Sequence, residues 1–201
     1  MKKKVLIITP KFPYPSYGAC EQDRAAGIEF FLKNDWEVRV ITKIYGEEYR
    51  KEVDSVSRRL GIKIIPIIYK YLQRKRKNWL HLFNFRYWDG AAFEYSDPEI
   101  KDALVKELNE FRPDIVWFDY TYLWPLYGLV KNKNIPILTR SINFEPIHFL
   151  DEDGRGLINY LKVIPKFLSE YFVAKKSDIL FAITPKEERI YKKIGAKKVV
   201  V

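Results

Sequence analysis

Lys4–Thr9 reads KVLIIT, and the next nine residues, Pro10–Gly18, read PKFPYPSYG. Five consecutive apolar or β-branched positions, Val5–Thr9, are the pattern of a parallel strand buried on both faces. Pro10, Pro13 and Pro15 then forbid both helix and ladder pairing, so the chain leaves the strand through a fixed loop. Working outward, Ala25, Ile28, Phe31 and Leu32 recur at helical spacing and predict a helix over Glu21–Lys33, with Asn34–Asp35 as a left-handed stop. Glu37–Thr42 (EVRVIT) reads as a second strand, Glu47–Leu60 as a helix and Ile62–Ile68 (IKIIPII) as a third strand. Pro66 cannot donate to a ladder and places that strand at a sheet edge.

The same alternation continues. Asp97–Pro98 is an N-cap followed by proline at the first helical position, and Ile100, Leu104, Leu108 and Phe111 form the apolar stripe of a helix ended by Pro113. Strands are expected at Asp114–Phe118, Ile135–Arg140, Asp178–Thr184 and Lys197–Val201. Helices are expected at Leu126–Lys133, Tyr160–Lys176 and Pro185–Ile194. Alternating strands and helices predict an α/β, Rossmann-like, doubly wound parallel sheet with helices on both faces, in the order 3-2-1-4-5-6-7. Residues 1–201 are read as a single domain carrying a basic and aromatic insertion at about 69–96. The closing VVV has the composition of a buried strand, so a longer protein is expected.

Composition narrows the function classes. The 201 residues include 36 Lys+Arg and 26 Asp+Glu, a net charge of +10 that calls for an anionic partner. One cysteine, Cys20, excludes a disulfide framework and any site built on several cysteines. Two distant histidines, His81 and His148, suggest no metal site. The longest apolar stretches are too short to span a bilayer, and the N-terminus lacks the pattern of a signal peptide. A cytoplasmic protein is the expectation.

In an open parallel sheet, ligands bind beyond the carboxyl ends of the strands, near the point where strand order reverses. That draws attention to Pro10–Gly18, to Asp119–Thr121, to RSINFE at Arg140–Glu145, and to Pro185–Glu187. The first loop lacks the glycine patterns of dinucleotide and P-loop sites, so no such cofactor is expected. Gly18 does stand just ahead of a helix, where backbone N–H groups can receive a phosphate. Arg140 could pair with a phosphate or with a loop carboxylate such as Glu145. Asn143 and Glu145 could hydrogen-bond sugar hydroxyls, and Asp119 could touch substrate or fasten a loop.

The order P-x-F-P-x-P-x-x-G, then Arg24, then EVRVIT resembles the amino-terminal domain of GT-B glycosyltransferases, in particular the large retaining family four. RPDIVWFDY (Arg112–Tyr120) resembles its fourth-strand segment, RSINFE its R-x-H-N-x-E stretch, and Ser177–Val201 its approach to the interdomain hinge. The resemblance implies hexose transfer from a nucleotide sugar to a glycan or lipid-linked acceptor, without a cofactor or metal ion. It makes this chain the acceptor-side half. The donor-binding half and its glutamates would lie beyond Val201, so the chain alone is expected to be inactive. Gly18 and Ala19 stand where relatives carry Gly-Gly against the donor phosphate, and the alanine methyl narrows that approach. Ile142 replaces the motif histidine, and His148, six residues later, cannot occupy the same place without rearrangement. Asp119, Arg140, Asn143 and Glu145 are the candidate acceptor-site residues.

Lys70–Lys77 (KYLQRKRK), followed by Trp79, Phe83, Phe85, Tyr87 and Trp88, combines basic and aromatic side chains. Contact with an anionic membrane surface through 70–88 is preferred to nucleic-acid binding. Two other classes stay open: a non-catalytic glycan-binding or partner-subunit domain, and a nucleic-acid-binding domain built on 70–77.

Overall fold

A computed structural model of the chain describes residues 2–70, 83 and 88–201. Seven strands form one parallel sheet in the order β3-β2-β1-β4-β5-β6-β7. They are β1 (Lys4–Thr9), β2 (Glu37–Ile44), β3 (Lys63–Ile68), β4 (Ile115–Phe118), β5 (Ile137–Arg140), β6 (Ile179–Phe181) and β7 (Val199–Val200). The fold class and strand order are those expected, and Pro66 sits on the edge strand, opposite Thr42.

The pleat of β1 divides the core. Val5 and Ile7 face α1 (Ala19–Lys33) and α2 (Arg50–Leu60), where Ala25, Ile28, Phe31, Val53 and Val56 complete one apolar layer. Leu6 and Ile8 face the opposite layer, where Ile100, Leu104 and Leu108 of α4 (Pro98–Glu110) pack with α5 (Tyr127–Lys131), α7 (Leu157–Lys176) and α8 (Pro185–Lys193). Complete burial of these β1 side chains explains the unbroken apolar run KVLIIT. Asp35 ends the first helix region at φ 61°, and Gly61 closes α2 at φ 65°, both in left-handed backbone.

Three elements depart locally from those expected. The segment read as one helix from Glu47 opens with a 3₁₀ turn, Glu47–Tyr49, before α2. A second 3₁₀ turn, Thr121–Leu126, precedes α5, with Pro125 unable to supply an amide to a longer helix. Glu145–Asp153, where the sequence pattern assigns no element, forms α6 with Pro146 in its first turn. A short helix, α3 (Gly90–Glu94), lies at the end of the basic and aromatic segment, most of which falls outside the described residues. Its described members Phe83 and Trp88 are exposed, and Lys70 is ion-paired with Glu99. Other exposed apolar side chains include Leu157, Ile158, Leu161 and Ile164 of α7. Among the described residues, no helix is long and apolar enough to cross a membrane.

Candidate functional site

Strand order reverses between β1 and β4, and a cleft of about 470 Å³ opens there. Its wall collects residues that follow five successive strands of the chain. Pro10 and Lys11 follow β1, Tyr45 follows β2, Tyr69 follows β3, Tyr120 and Tyr122 follow β4, and Ile142 and Asn143 follow β5. Arg24 of α1, Tyr95 and His148 of α6 complete much of the lining. A parallel sheet aims all its strand ends the same way, so one edge receives contributions from distant parts of the sequence.

The loops expected to converge do so. The Arg140 guanidinium reaches Asp23 Oδ2 on α1 at 2.5 Å and Asp119 Oδ1 after β4 at 2.7 Å. Its Nη1 also donates to the Asp23 backbone carbonyl at 3.1 Å. The approach of Nη2 to Asp119 is an ion pair by distance, without the direction of a hydrogen bond. Asp119 is buried, and its Oδ1 accepts a hydrogen bond from Trp117 Nε1 at 3.0 Å. Burial pushes its carboxyl above the ordinary carboxylate range, opposed first by the Arg140 charge. Arg140 therefore fastens loops rather than pairing with Glu145.

Glu145 is buried at the start of α6 and accepts hydrogen bonds from the hydroxyls of both Tyr120 and Tyr122. The two rings lie 4.6 Å apart. Burial, then the charge of Glu145, pushes both phenols far above their ordinary value, so they act as neutral donors. Asn143 lines the cleft directly, and its backbone carbonyl accepts from Ser141 Oγ at 2.9 Å. His148 shares the wall with Ile142, so the histidine comes to the same cleft by way of the helix that sequence reading missed.

Gly18 is the N-cap of α1 and lines a neighbouring cavity of about 360 Å³ that shares Lys11, Lys43, Ile44 and Tyr45 with the main cleft. Ala19 is the first residue of the helix and is exposed. The amino end of α1 is already covered. A Cβ on Gly18 would collide with Glu21 Oε2, and Glu21 Oε1 accepts from Lys11 Nζ at 2.9 Å. The hydrogen bond from Lys11 holds the Glu21 carboxyl below its usual value, so an approaching phosphate meets a carboxylate.

Lys43 lies under both cavities although it sits in an apolar strand. Its Nζ contacts Glu94 Oε1 at 2.6 Å, Asp97 Oδ2 at 2.7 Å and the Ile68 carbonyl at 3.2 Å. This ties β2, β3, α3 and the N-cap of α4 into the floor. A charged residue inside VRVITKI signals such a buried pairing. Tyr45 and Tyr69 are also legible once the strand-end rule is applied to β2 and β3 as well as to β1, β4 and β5. Among the described residues, no group of three or more His, Cys, Asp or Glu side chains is placed to hold a metal ion.

No protein-family model matches the chain, and no curated protein does. Its fold does match solved structures. The chain superposes on Phytolacca americana UGT2 complexed with UDP-2fluoro-glucose and pterostilbene with a TM-score of 0.59 at 10% identity, covering 100% of this chain and 54% of that one. Arabidopsis thaliana UGT89C1 complexed with UDP-L-rhamnose gives 0.54 at 14% identity, covering 99% and 48%. A UDP-N-acetylglucosamine 2-epimerase assigned in Listeria monocytogenes gives 0.54 at 13%, covering 97% and 43%. The likeness is one of fold: a Rossmann-like α/β domain of the GT-B kind. The chain spans about half the length of these structures.

Proposed function

We propose that this chain is the acceptor-side domain of a GT-B glycosyltransferase that moves a hexose from a nucleotide sugar to a hydroxyl of a glycan or lipid-linked acceptor. The observation that carries the reading is the cleft at the switch point, where five strand ends, a tyrosine-rich wall and Asn143 meet in a GT-B-like fold. Tyrosines suit a sugar because the ring packs on the apolar face of a hexose while the hydroxyl serves its oxygens.

In this reading the acceptor oxygen bonds to the anomeric carbon as the bond from that carbon to the diphosphate oxygen breaks. The nucleoside diphosphate leaves, and the acceptor proton passes to a base or to the departing oxygen. Catalytic residues and most donor contacts belong to a donor-binding domain outside this chain. The resemblance to family four implies retention of configuration and no metal ion or cofactor.

The roles of Asp119 and Arg140 are positional, joining β4, β5 and α1 below the acceptor. Asn143, with the two phenols held on Glu145, faces the acceptor. The test is a transfer assay on a longer protein containing residues 1–201, with a panel of UDP- and GDP-hexoses and acceptors. Transfer that is lost in the 201-residue chain supports the reading; hydrolysis or transfer by that chain alone opposes it. Contact of 70–88 with an anionic membrane surface belongs to the same proposal. Equal sedimentation with anionic and neutral vesicles would remove it.

A further inference from the structure

Four groups on the wall of the main cleft are cationic or become so on protonation. Lys11 is ion-paired with Glu21 at 2.9 Å, Lys43 with Glu94 at 2.6 Å and Asp97 at 2.7 Å, and His148 lies 3.3 Å from Glu152. Arg24 differs. It is 8% exposed, its Nε is buried without an acceptor, and it has no ion pair among the described residues. Its charge acts on Asp119 and on Glu21 from a distance, but Asp119 is in contact with Arg140 and Glu21 with Lys11.

A guanidinium cannot escape burial by losing its proton, because it stays charged at every pH at which a protein is folded. Taken out of water without a counter-charge, it is a costly group. Every neighbouring cation has been given a carboxylate by the fold, whereas Arg24 opens on the cleft without one. Its planar fork of donors matches the oxygens of a phosphate or carboxylate. Around it stand Tyr45 and Tyr69, their rings 5.9 Å apart, and Tyr95, whose hydroxyl is held on the Pro10 carbonyl at 3.0 Å. An anion on Arg24 would place an attached ring against these aromatic faces.

We propose that the acceptor bound in this cleft is an anionic sugar, its phosphate or carboxylate taken by Arg24 and its ring by the tyrosine wall. This rests on the reading of the cleft as an acceptor site, and Arg24 is a specificity-determining residue in it. The charge missing from the protein is supplied by the substrate. A neutral hexose would leave the guanidinium without a counter-charge, so discrimination against it follows.

The experiment is a titration of the 201-residue chain with a hexose phosphate, a hexuronate, the neutral hexose and UDP, following the Arg Nε–H signals by NMR. The Arg24 signal is assigned by comparison with Arg24→Lys and Arg24→Gln. At least one anionic sugar should bind about tenfold or more tighter than the neutral hexose and move the Arg24 signal. A folded Arg24→Gln protein should lose that preference, and Arg24→Lys should keep part of it. Should Arg24→Gln fail to fold, the Arg24 signal of the wild type and the Arg24→Lys affinities decide. Equal affinities for charged and neutral sugars, or an Arg24 signal that responds to UDP and to neither anionic sugar, would overturn the proposal. Failure of this preference leaves sugar transfer itself open. Conversely, anionic-sugar binding in a longer protein that transfers no hexose would sink the transferase reading and keep this one.

Discussion

Asp119 and Arg140 show how much of the site is held by one buried charge. Asp119 is 2% exposed, and Arg140 is the cation that makes its ionisation tolerable there. Removing one partner of a buried pair leaves the other uncompensated, which costs about 3–5 kcal/mol. Arg140→Ala should fall near the lower end, about 3 kcal/mol, because Arg140 retains some exposure and Arg24 also bears on Asp119. Adding Asp119→Asn should recover part of the loss in urea denaturation, and simple additivity of the two would count against the pair. A second buried carboxyl has the opposite character. Glu170 accepts from Thr121 Oγ1 at 2.9 Å and Tyr191 Oη at 2.8 Å, and burial raises it from 4.5 to about 8. The folded state therefore holds this proton more tightly than the unfolded chain. The resulting stability is complete below 4.5 and is lost as pH rises through about 8. The melting temperature should fall by several degrees across that window, and Glu170→Gln should flatten the fall. An unchanged pH profile in the variant would show that Glu170 is not its source.

At the scale of elements, the first turn of α8 also positions the site. Thr184 Oγ1 accepts from the Glu187 N–H at 3.2 Å, and Glu187 Oε2 in turn accepts from the Thr184 N–H at 3.3 Å, closing a capping box. Glu187 Oε1 accepts from the Phe144 N–H at 2.9 Å, so the same carboxylate anchors the loop that carries Asn143. Thr184→Ala should cost about 1 kcal/mol, the usual worth of an N-cap, with little effect on the loop. Glu187→Ala removes cap and anchor together, and should also broaden the amide signals of residues 141–145. A loop equally rigid in both variants would contradict the anchor. The elements themselves were largely legible. Buried parallel strands advertise themselves as runs of Val and Ile, and Pro66, Asp97–Pro98 and Asn34–Asp35 each obeyed a local steric rule. The helix α6 is not legible from an apolar stripe, because only Ile147, Phe149 and Leu150 are apolar among its non-proline residues, although Pro146 in its first turn and Gly154 at its end mark a short helix. The candidate loops were found because strand ends converge in any such sheet. Their partners were not, since nothing in one sequence pairs Arg140 with Asp23 rather than Glu145, or places Tyr120 and Tyr122 on one carboxylate. Those contacts depend on turns after the strands, where side-chain direction no longer follows a period of two.

For the whole molecule, the question is how much of a nucleotide sugar this chain can hold by itself. The net charge of +10 favours an anion in general, but the groups nearest the expected phosphate position are locally neutralised. Lys11 is committed to Glu21, and Glu21 lies over Gly18 at the amino end of α1. A phosphate arriving there must displace a carboxylate that already satisfies both the lysine and the helix terminus, so the usual advantage of such a terminus is largely cancelled. The 201-residue chain should therefore bind UDP-hexoses no more tightly than about 1 mM, which is ~4 kcal/mol. Glu21→Gln removes the competing charge, frees Lys11 and leaves a side chain of the same size. It should tighten binding by about fivefold, near 1 kcal/mol, and steepen its salt dependence because a net positive site replaces a neutral one. Isothermal calorimetry at two ionic strengths measures both quantities. Sub-micromolar binding by the unmodified chain would mean that the donor site is built here after all. An unchanged or weaker affinity in Glu21→Gln would mean that the diphosphate does not approach through Gly18, and the donor would then have to be placed elsewhere along the edge of the sheet.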